Sequence, residues 1–229
     1  KGHGRLAVEN AMKYSCDVFF YDLSTRFSLE QLNRYTKQNY LSTRTEIDLP
    51  GERRGFFPSR KWYIDNYGKY VGILGHKVNL SIGQGEILVT PLQICAYYAA
   101  LGNHGVWKEP HLLEKRIEAE HTFKNVFEEK QLPISEETLK LIQHSLYITV
   151  NERYGTGTAS SIRGIDVYGK TGSAENHMGK QTHSWFSGYA LCDRFEIAFN
   201  VFVENGGHGG AVSAPLAGKL ISYYDGIMK

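Results

Sequence analysis

Lys170, Thr171 and Gly172 form a triplet whose residue types suit the binding of an extended, anionic ligand. The triplet follows residues 165–169, a stretch typical of a β-strand. A lysine at a strand edge can place its ammonium in a partly dry cleft, where it favours a carboxylate and eases proton movement. Thr171 adds a hydroxyl donor, and Gly172 lets an extended ligand approach the strand backbone and pair with it. The triplet therefore predicts a ligand groove beside a strand.

Ser15 and Asp17 are a second pair of polar residues that could do chemistry. Apolar residues recur at helical spacing across residues 5–26, and Ser15 falls on their core-facing row. Residues two apart on a helix point in different directions, so both can reach one cleft only if the helix breaks near Cys16. We predict that break. Ser-x-Asp or Ser-x-Asn occurs by chance about once or twice in a chain of this length, whereas Lys-Thr-Gly occurs in only about 5% of chains. A structural cap between two helices is the alternative for the serine and the aspartate.

The elements that must position these residues change from helices to strands along the chain. Helix signals, including caps at Thr90 and Ser135, cover residues 5–26, 28–40, 90–103 and 135–150, and a closing helix follows Ser213. Residues 48–59 have the Gly and Pro content of a loop. Residues 183–191 and 195–203 alternate like strands and are joined by a short link, which indicates an antiparallel hairpin. The pattern predicts an α+β fold.

The composition describes a globular protein and excludes a nucleic-acid partner. The chain has 229 residues, of which 41% are hydrophobic, enough for one core. Lysine and arginine number 26 against 24 acidic residues, so the net charge of +2 leaves no basic stripe for phosphates. No apolar run approaches the roughly 20 residues of a membrane span. Three widely spaced cysteines predict no disulfide framework.

Several segments together resemble the transpeptidase domain of class B penicillin-binding proteins. They are HGRLAVENAMKYSCDVFFYDL, IGQGEILVTPLQ, GTGTA followed by GKTGSAEN, HSWFSGYA and VFVENGGHGGAVSAPLAGKL, in this order over nearly the whole chain. The opening is more similar to the cell-elongation branch, the penicillin-binding protein 2 branch, than to the division branch. The resemblance implies an α+β fold of the β-lactamase/D,D-peptidase type, an antiparallel sheet flanked by helices. Residues 1–229 would be the C-terminal part of a single, incomplete transpeptidase domain.

The resemblance also implies a reaction. These enzymes cross-link peptidoglycan stem peptides that end in D-Ala-D-Ala, through an acyl-enzyme on a serine, and β-lactams inhibit them. Lys170 then faces the terminal carboxylate, and Thr171 and Gly172 bind the substrate strand. The N–H of Ser173 donates to the oxyanion; the family usually has Thr at that position, and the hydroxyl is kept.

Ser15 and Asp17 gain roles from the same resemblance. Ser15 would pass a proton between the lysine beside the nucleophile and the leaving amine, and Asp17 would be a polar partner for the substrate amide. These roles require Ser15 and Lys170, 155 positions apart, to meet at one groove.

The nucleophile's motif, Ser-x-x-Lys, does not occur in these 229 residues. The nearest match, Ser59-Arg60-Lys61-Trp62, has its lysine one position early. We therefore expect a fragment of a longer polypeptide, with the acylating serine upstream, and predict that the fragment alone is inactive. The whole protein would lie at the extracytoplasmic (periplasmic) face of the bacterial inner membrane, anchored by an N-terminal helix. A membrane glycosyltransferase of the elongation machinery would bind through regions outside this sequence.

Two other functions stay open at this point. A β-lactamase of the same fold needs a base that activates the deacylating water, and no such residue is identifiable. A catalytically silent binding or sensor module would suit a chain without a nucleophile. The three functions differ in whether a β-lactam acylates the protein stably, is turned over, or does not react.

Several histidines and a cysteine are weaker candidates for functional residues. Catalysis requires no cofactor, but His3 and Cys16 are zinc ligand types that bracket the first helix and could contribute to a structural zinc site. The alternative is an exposed terminal histidine and a small buried cysteine. His177, Met178 and His183 flank the proposed cleft and are interpreted as solvated rim residues.

Overall fold

A three-stranded antiparallel sheet between two layers of helices is the centre of the fold. The structure is a computed structural model that describes residues 2–118, 121–124, 127–176 and 180–229, so His177 and Met178 lie outside the described residues. The helices are α1 Val8–Lys13, α2 Asp17–Ser24, α3 Leu29–Gln38, α4 Arg60–Tyr67, α5 Ile73–Leu80, α6 Pro91–Gly102, α7 Glu136–Asn151 and α8 Ser213–Ile227. The strands are β1 Val106–Lys108, β2 Lys115–Glu118, β3 His121–Lys124, β4 Glu129–Gln131, β5 Asp166–Ala174, β6 His183–Cys192 and β7 Phe195–Val203. The predicted α+β class is confirmed.

Strand order in the central sheet is β5-β6-β7, and both pairings are antiparallel. The predicted hairpin is β6–β7, and β5 is an edge strand with Lys170 opposite Ser187. Strands β5 and β6 approach each other closely at Gly188 of β6, where an added Cβ would lie 1.9 Å from the Tyr168 carbonyl oxygen of β5. The Lys-Thr-Gly triplet therefore lies on a strand with one free edge.

Alternating side chains give the sheet two apolar faces. On one face, Phe186 and Ala190 of β6 pack with Ala217 and Ile221 of α8. Four β7 residues predicted to share a face pack in the same cluster: Phe195, Ile197, Phe199 and Val201. On the other face, Tyr189 packs with residues of α6 and α7. Burial on both faces fixes the register of β5, because a one-residue shift would exchange its two faces.

Two of the predicted helices begin at the expected caps. Thr90 accepts a hydrogen bond from Gln93 N, and the Gln93 side chain accepts from Thr90 N, so α6 starts with a capping box. The Ser135 side chain accepts from Thr138 N at the start of α7. The two helices pack on the sheet and hold β5 and β6 in place.

Several short elements were not predicted from the sequence. Helices α4 and α5 follow the predicted loop at residues 48–59, and β1–β4 and β2–β3 form two small ribbons. Ser59, the near match to the nucleophile motif, is the N-cap of α4 and accepts from Trp62 N. None of the described helices is long and apolar enough to cross a bilayer.

Candidate functional site

Ser15 and Lys170 are in direct contact: the Lys170 ammonium donates a hydrogen bond to the Ser15 hydroxyl. Ser15 lies between α1 and α2 with a φ of 49°, a left-handed conformation that ends the first helix. This is the break that the sequence predicts near Cys16. Helix α1 packs on α7, and α7 packs on β5, so this stack of elements carries Ser15 to the strand that bears Lys170.

Burial controls the charge of Lys170. Desolvation lowers the pKa of its ammonium from 10.5 to about 8, and the nearby charge of Asp17 acts in the opposite direction. The ammonium also donates to the Thr171 carbonyl oxygen at 3.1 Å. Lys170 is thus a cation at neutral pH that can give up its proton near physiological pH.

Thr156 joins the two halves of the site through contacts that were not predicted from the sequence. Its hydroxyl accepts from Thr171 Oγ1 at 3.1 Å and lies 3.4 Å from Ser15 Oγ. Its N–H donates to the Lys13 carbonyl oxygen at 3.3 Å, which ties the loop after α7 to the end of α1. Thr156 belongs to the GTGTA segment, which is part of the resemblance but carries no sequence signal for this contact. Ser15, Thr156, Thr171 and Lys170 form one chain of hydroxyl and ammonium groups.

A cavity of about 680 Å³ opens beside Ser15. Asp17 lines it as the first residue of α2, where the helix dipole favours an acidic side chain. Asp17 and Ser15 therefore line one cavity, and their joint access to the groove beside β5 stays a prediction. His3 and Cys16 line the same cavity, with Cys16 buried and His3 stacked on Tyr14 at a ring-centroid distance of 5.7 Å.

Among the residues that the structure describes, no group of three or more His, Cys, Asp or Glu side chains is arranged to hold a metal ion. His3 and Cys16 therefore do not make a zinc site by themselves, because structural zinc takes four ligands.

The free edge of β5 presents the backbone of Ser173. Its carbonyl oxygen accepts a hydrogen bond from the Gln84 side chain, so it faces away from β6, and its N–H points the same way. The Ser173 hydroxyl accepts from Gly209 N at 3.1 Å. A Cβ added to Gly209 would lie 2.4 Å from the Gly172 carbonyl oxygen, so this loop approaches the strand at Gly172. The predicted oxyanion donor thus lies on the edge of β5 that pairs with no other strand, where Gln84 occupies part of the edge and the loop at Gly209 occupies part of the space beside Gly172.

The family model described as the penicillin-binding protein transpeptidase domain matches residues 1–222 of the chain. This chain belongs to the penicillin-binding protein transpeptidase family. Peptidoglycan D,D-transpeptidase MrdA of Acinetobacter baumannii is 30% identical over 239 residues, which are 97% of this chain and 35% of that protein. Stage V sporulation protein D of Bacillus subtilis is 33% identical over 236 residues, covering 96% of this chain and 34% of that protein. This transpeptidase-family chain thus spans about a third of the length of these relatives.

Solved structures of penicillin-binding protein 2 have the same fold. Pseudomonas aeruginosa PBP2 in complex with WCK 5153 gives a TM-score of 0.81 at 27% identity, over 96% of this chain and 47% of that one. Helicobacter pylori PBP2 in complex with MreC gives 0.78 at 25% identity, over 96% and 41%. The chain is transpeptidase-domain sequence of the PBP2/MrdA type, as the resemblance implied.

Proposed function

We propose that this chain is the substrate-binding and proton-transferring part of a peptidoglycan D,D-transpeptidase. The contact between Lys170 and Ser15 carries the proposal, because it brings an ammonium and a hydroxyl together beside a free strand edge. The acylating serine would come from a segment of the same polypeptide outside this sequence, since Ser-x-x-Lys is absent from these residues. The relatives named peptidoglycan D,D-transpeptidase support the reaction type.

The acylation step assigns a role to each group at the strand edge. The acylating serine gives its proton to the lysine beside it as its oxygen attacks the carbonyl carbon of the penultimate D-Ala, and the carbonyl oxygen, which becomes negative, accepts a hydrogen bond from Ser173 N–H. The Lys170 ammonium attracts the terminal carboxylate, with the Thr171 hydroxyl as a further donor. Gly172 keeps the strand free of a side chain at this point. The substrate is bound as an added strand.

Proton transfer completes the acylation. The C–N bond to the terminal D-Ala breaks, and the leaving amine takes a proton that Ser15 relays from the lysine beside the nucleophile. Asp17, in the same cavity as Ser15, binds the substrate amide. In the second half of the reaction an amine of another stem peptide attacks the ester and gives its proton back along the same path. The products are a new peptide bond and the free serine.

The whole protein would act at the extracytoplasmic (periplasmic) face of the inner membrane. The named relatives are cell-wall synthesis proteins, and one solved relative belongs to a peptidoglycan synthase complex. A membrane glycosyltransferase as partner, and an N-terminal anchoring helix, remain proposals for regions outside this sequence. Zinc held with the help of His3 and Cys16 would need further ligands from such a region, and metal analysis of the full-length protein tests it.

Labelling of the full-length protein with a fluorescent penicillin tests the proposed function. We expect a stable adduct, since an acyl-enzyme that lacks a deacylating base persists. Rapid turnover would instead identify a β-lactamase, and no reaction a silent sensor module. Residues 1–229 alone should remain unlabelled.

Lys170→Ala should slow the labelling by about 100-fold, because it removes the cation that attracts the ligand carboxylate and donates to the Ser15 hydroxyl, and a hydrogen bond to a charged group is worth up to about 3 kcal/mol. Lys140→Ala is the matched control, because Lys140 is exposed on α7 and pairs with Glu136. Undiminished labelling of the Lys170 variant would remove this residue from the mechanism.

A further inference from the structure

Gln84 makes the hydrogen bonds of a neighbouring strand at the free edge of β5. Its Nε2 donates to the Ser173 carbonyl oxygen at 2.9 Å, and its Oε1 accepts from Glu175 N at 3.1 Å. One side-chain amide thus satisfies an acceptor and a donor two residues apart on the strand. A glutamine that spans these two groups lies where a bound strand would lie.

The loop that carries Gln84 is built to hold the side chain in this place. Gly83 and Gly85 on either side have φ values of 78° and 83°, which other residues rarely adopt. The next residue, Glu86, accepts from the Tyr63 hydroxyl at 2.7 Å and is paired with His76 Nδ1 at 2.9 Å. The loop is therefore anchored to α4 and α5 on one side and to β5, through Gln84, on the other.

The position of Gln84 bears directly on the proposed reaction. In an antiparallel pair, one residue of a bound strand exchanges both its N–H and its carbonyl with a single residue of the sheet. A ligand whose carbonyl accepts from Ser173 N–H must therefore direct its own N–H at the Ser173 carbonyl oxygen. In this structure that oxygen already accepts from Gln84.

We infer that Gln84 is a specificity-determining residue whose side-chain amide competes with the backbone amide of the ligand for the Ser173 carbonyl oxygen. This inference rests on the proposed function. A ligand that donates an N–H at this position must displace Gln84 from Ser173. A ligand without that N–H reacts with the contact in place. Gln84 therefore changes the relative rates of the two kinds of ligand.

Two β-lactams of different chemistry provide the test on the full-length protein. One is a penicillin with an acylamino side chain, which has the N–H, and the other is a carbapenem with a hydroxyethyl group in its place. Gln84→Ala should raise the ratio of the penicillin acylation rate constant to that of the carbapenem by about 2- to 10-fold, the effect of losing one competing hydrogen bond. Gln84→Glu keeps an acceptor for Glu175 N and lacks the donor, so it should change the ratio in the same direction. Gln38→Ala, an exposed glutamine on α3, is the control and should leave the ratio unchanged.

The outcomes distinguish an error in the inference about Gln84 from an error in the proposed function. Equal changes for both β-lactams, or a slower reaction of the penicillin alone, would overturn the inference and identify Gln84 as a support for β5. If Gln84→Ala does not fold, the ratio measured with Gln84→Glu decides the question in the same way. If the wild-type protein forms no adduct with either compound, the proposed function itself is wrong and the inference falls with it.

Discussion

Burial of Lys170 disfavours the charged ammonium that the proposed function needs. Its ammonium is partly desolvated, and its pKa of about 8 lies below the ordinary value of 10.5. The unfolded state therefore binds a proton more tightly than the folded state does. By linkage, the free energy of unfolding rises as the pH increases from about 8 to 10.5, and below pH 8 the charged lysine costs its full penalty. Such a group is retained for a reason other than stability.

The same pKa predicts how ligand binding depends on pH. Lys170 is charged below about pH 8, and the charged form attracts a carboxylate. We expect the penicillin labelling rate of the full-length protein to fall as the pH rises above 8, approaching about tenfold per pH unit. Lys170→Met should react slowly and show no decrease in that range. A wild-type rate that rises through pH 8 would show that the neutral amine is the active form.

The sequence allowed part of the site to be predicted at this scale. Ser15, Asp17 and Lys170 belong to short motifs, and the resemblance to penicillin-binding transpeptidases indicated that these motifs share a cleft. Thr156 and Gln84 could not be placed in the same way. Their contacts depend on where the loops after α7 and α5 meet β5, and a hydroxyl or an amide in a loop has no periodic signal that gives its direction.

At the scale of elements, the junction of α1 and α2 decides whether the site forms. Residues 14–16 turn the chain so that the Ser15 hydroxyl faces β5, and this turn requires a φ of 49° at Ser15. A left-handed conformation costs about 1 kcal/mol for a residue with a Cβ. Ser15 therefore adopts an unfavourable backbone conformation that places its hydroxyl toward β5.

Ser15→Gly and Ser15→Ala separate these two properties. Both variants lack the hydroxyl, so both should lose most of the penicillin labelling. The glycine variant should be more stable than the alanine variant by about 1 kcal/mol, because only glycine adopts the turn without strain. Urea unfolding of the full-length proteins measures the difference. Equal stabilities, or an alanine variant that labels at the wild-type rate, would contradict this account of the junction.

Helices and strands could be predicted where the sequence carries clear start and stop signals. Helices α6 and α7 have caps and apolar rows, and β6 and β7 alternate around a short link, so their type and approximate limits followed from the sequence. Helices α4 and α5 have eight residues each, and neither separates an apolar face clearly from a polar one. The aromatic residues of α4 pack with one another and with His76 of α5, a contact that only the folded chain creates.

At the scale of the whole molecule, two surfaces stand out. β7 has no strand paired with its outer edge among the described residues, and edge strands of this length pair readily with other chains. On α8, a row of apolar side chains is exposed: Leu216, Leu220, Tyr223 and Ile227. Exposed apolar rows beside an open strand edge favour association.

Leu220→Glu tests the contribution of this row. Leu220 is 59% exposed, so the change should leave the fold intact while it reduces self-association of residues 1–229 at least about twofold. Sedimentation velocity at several concentrations measures the effect. Ser222→Glu adds the same charge on another side of α8 and should have a smaller effect. Equal effects of the two variants would show that charge alone controls association.

The free edge of β5 has a further consequence for inhibitors of such a protein. Its N–H and carbonyl groups at Ser173 belong to the main chain, and every amino acid except proline supplies both. Point substitutions of Ser173 would therefore leave those hydrogen-bonding groups in place. An inhibitor that forms hydrogen bonds only with the main chain of β5 would lose affinity only if β5 were displaced or if residues that cover the edge of β5 changed.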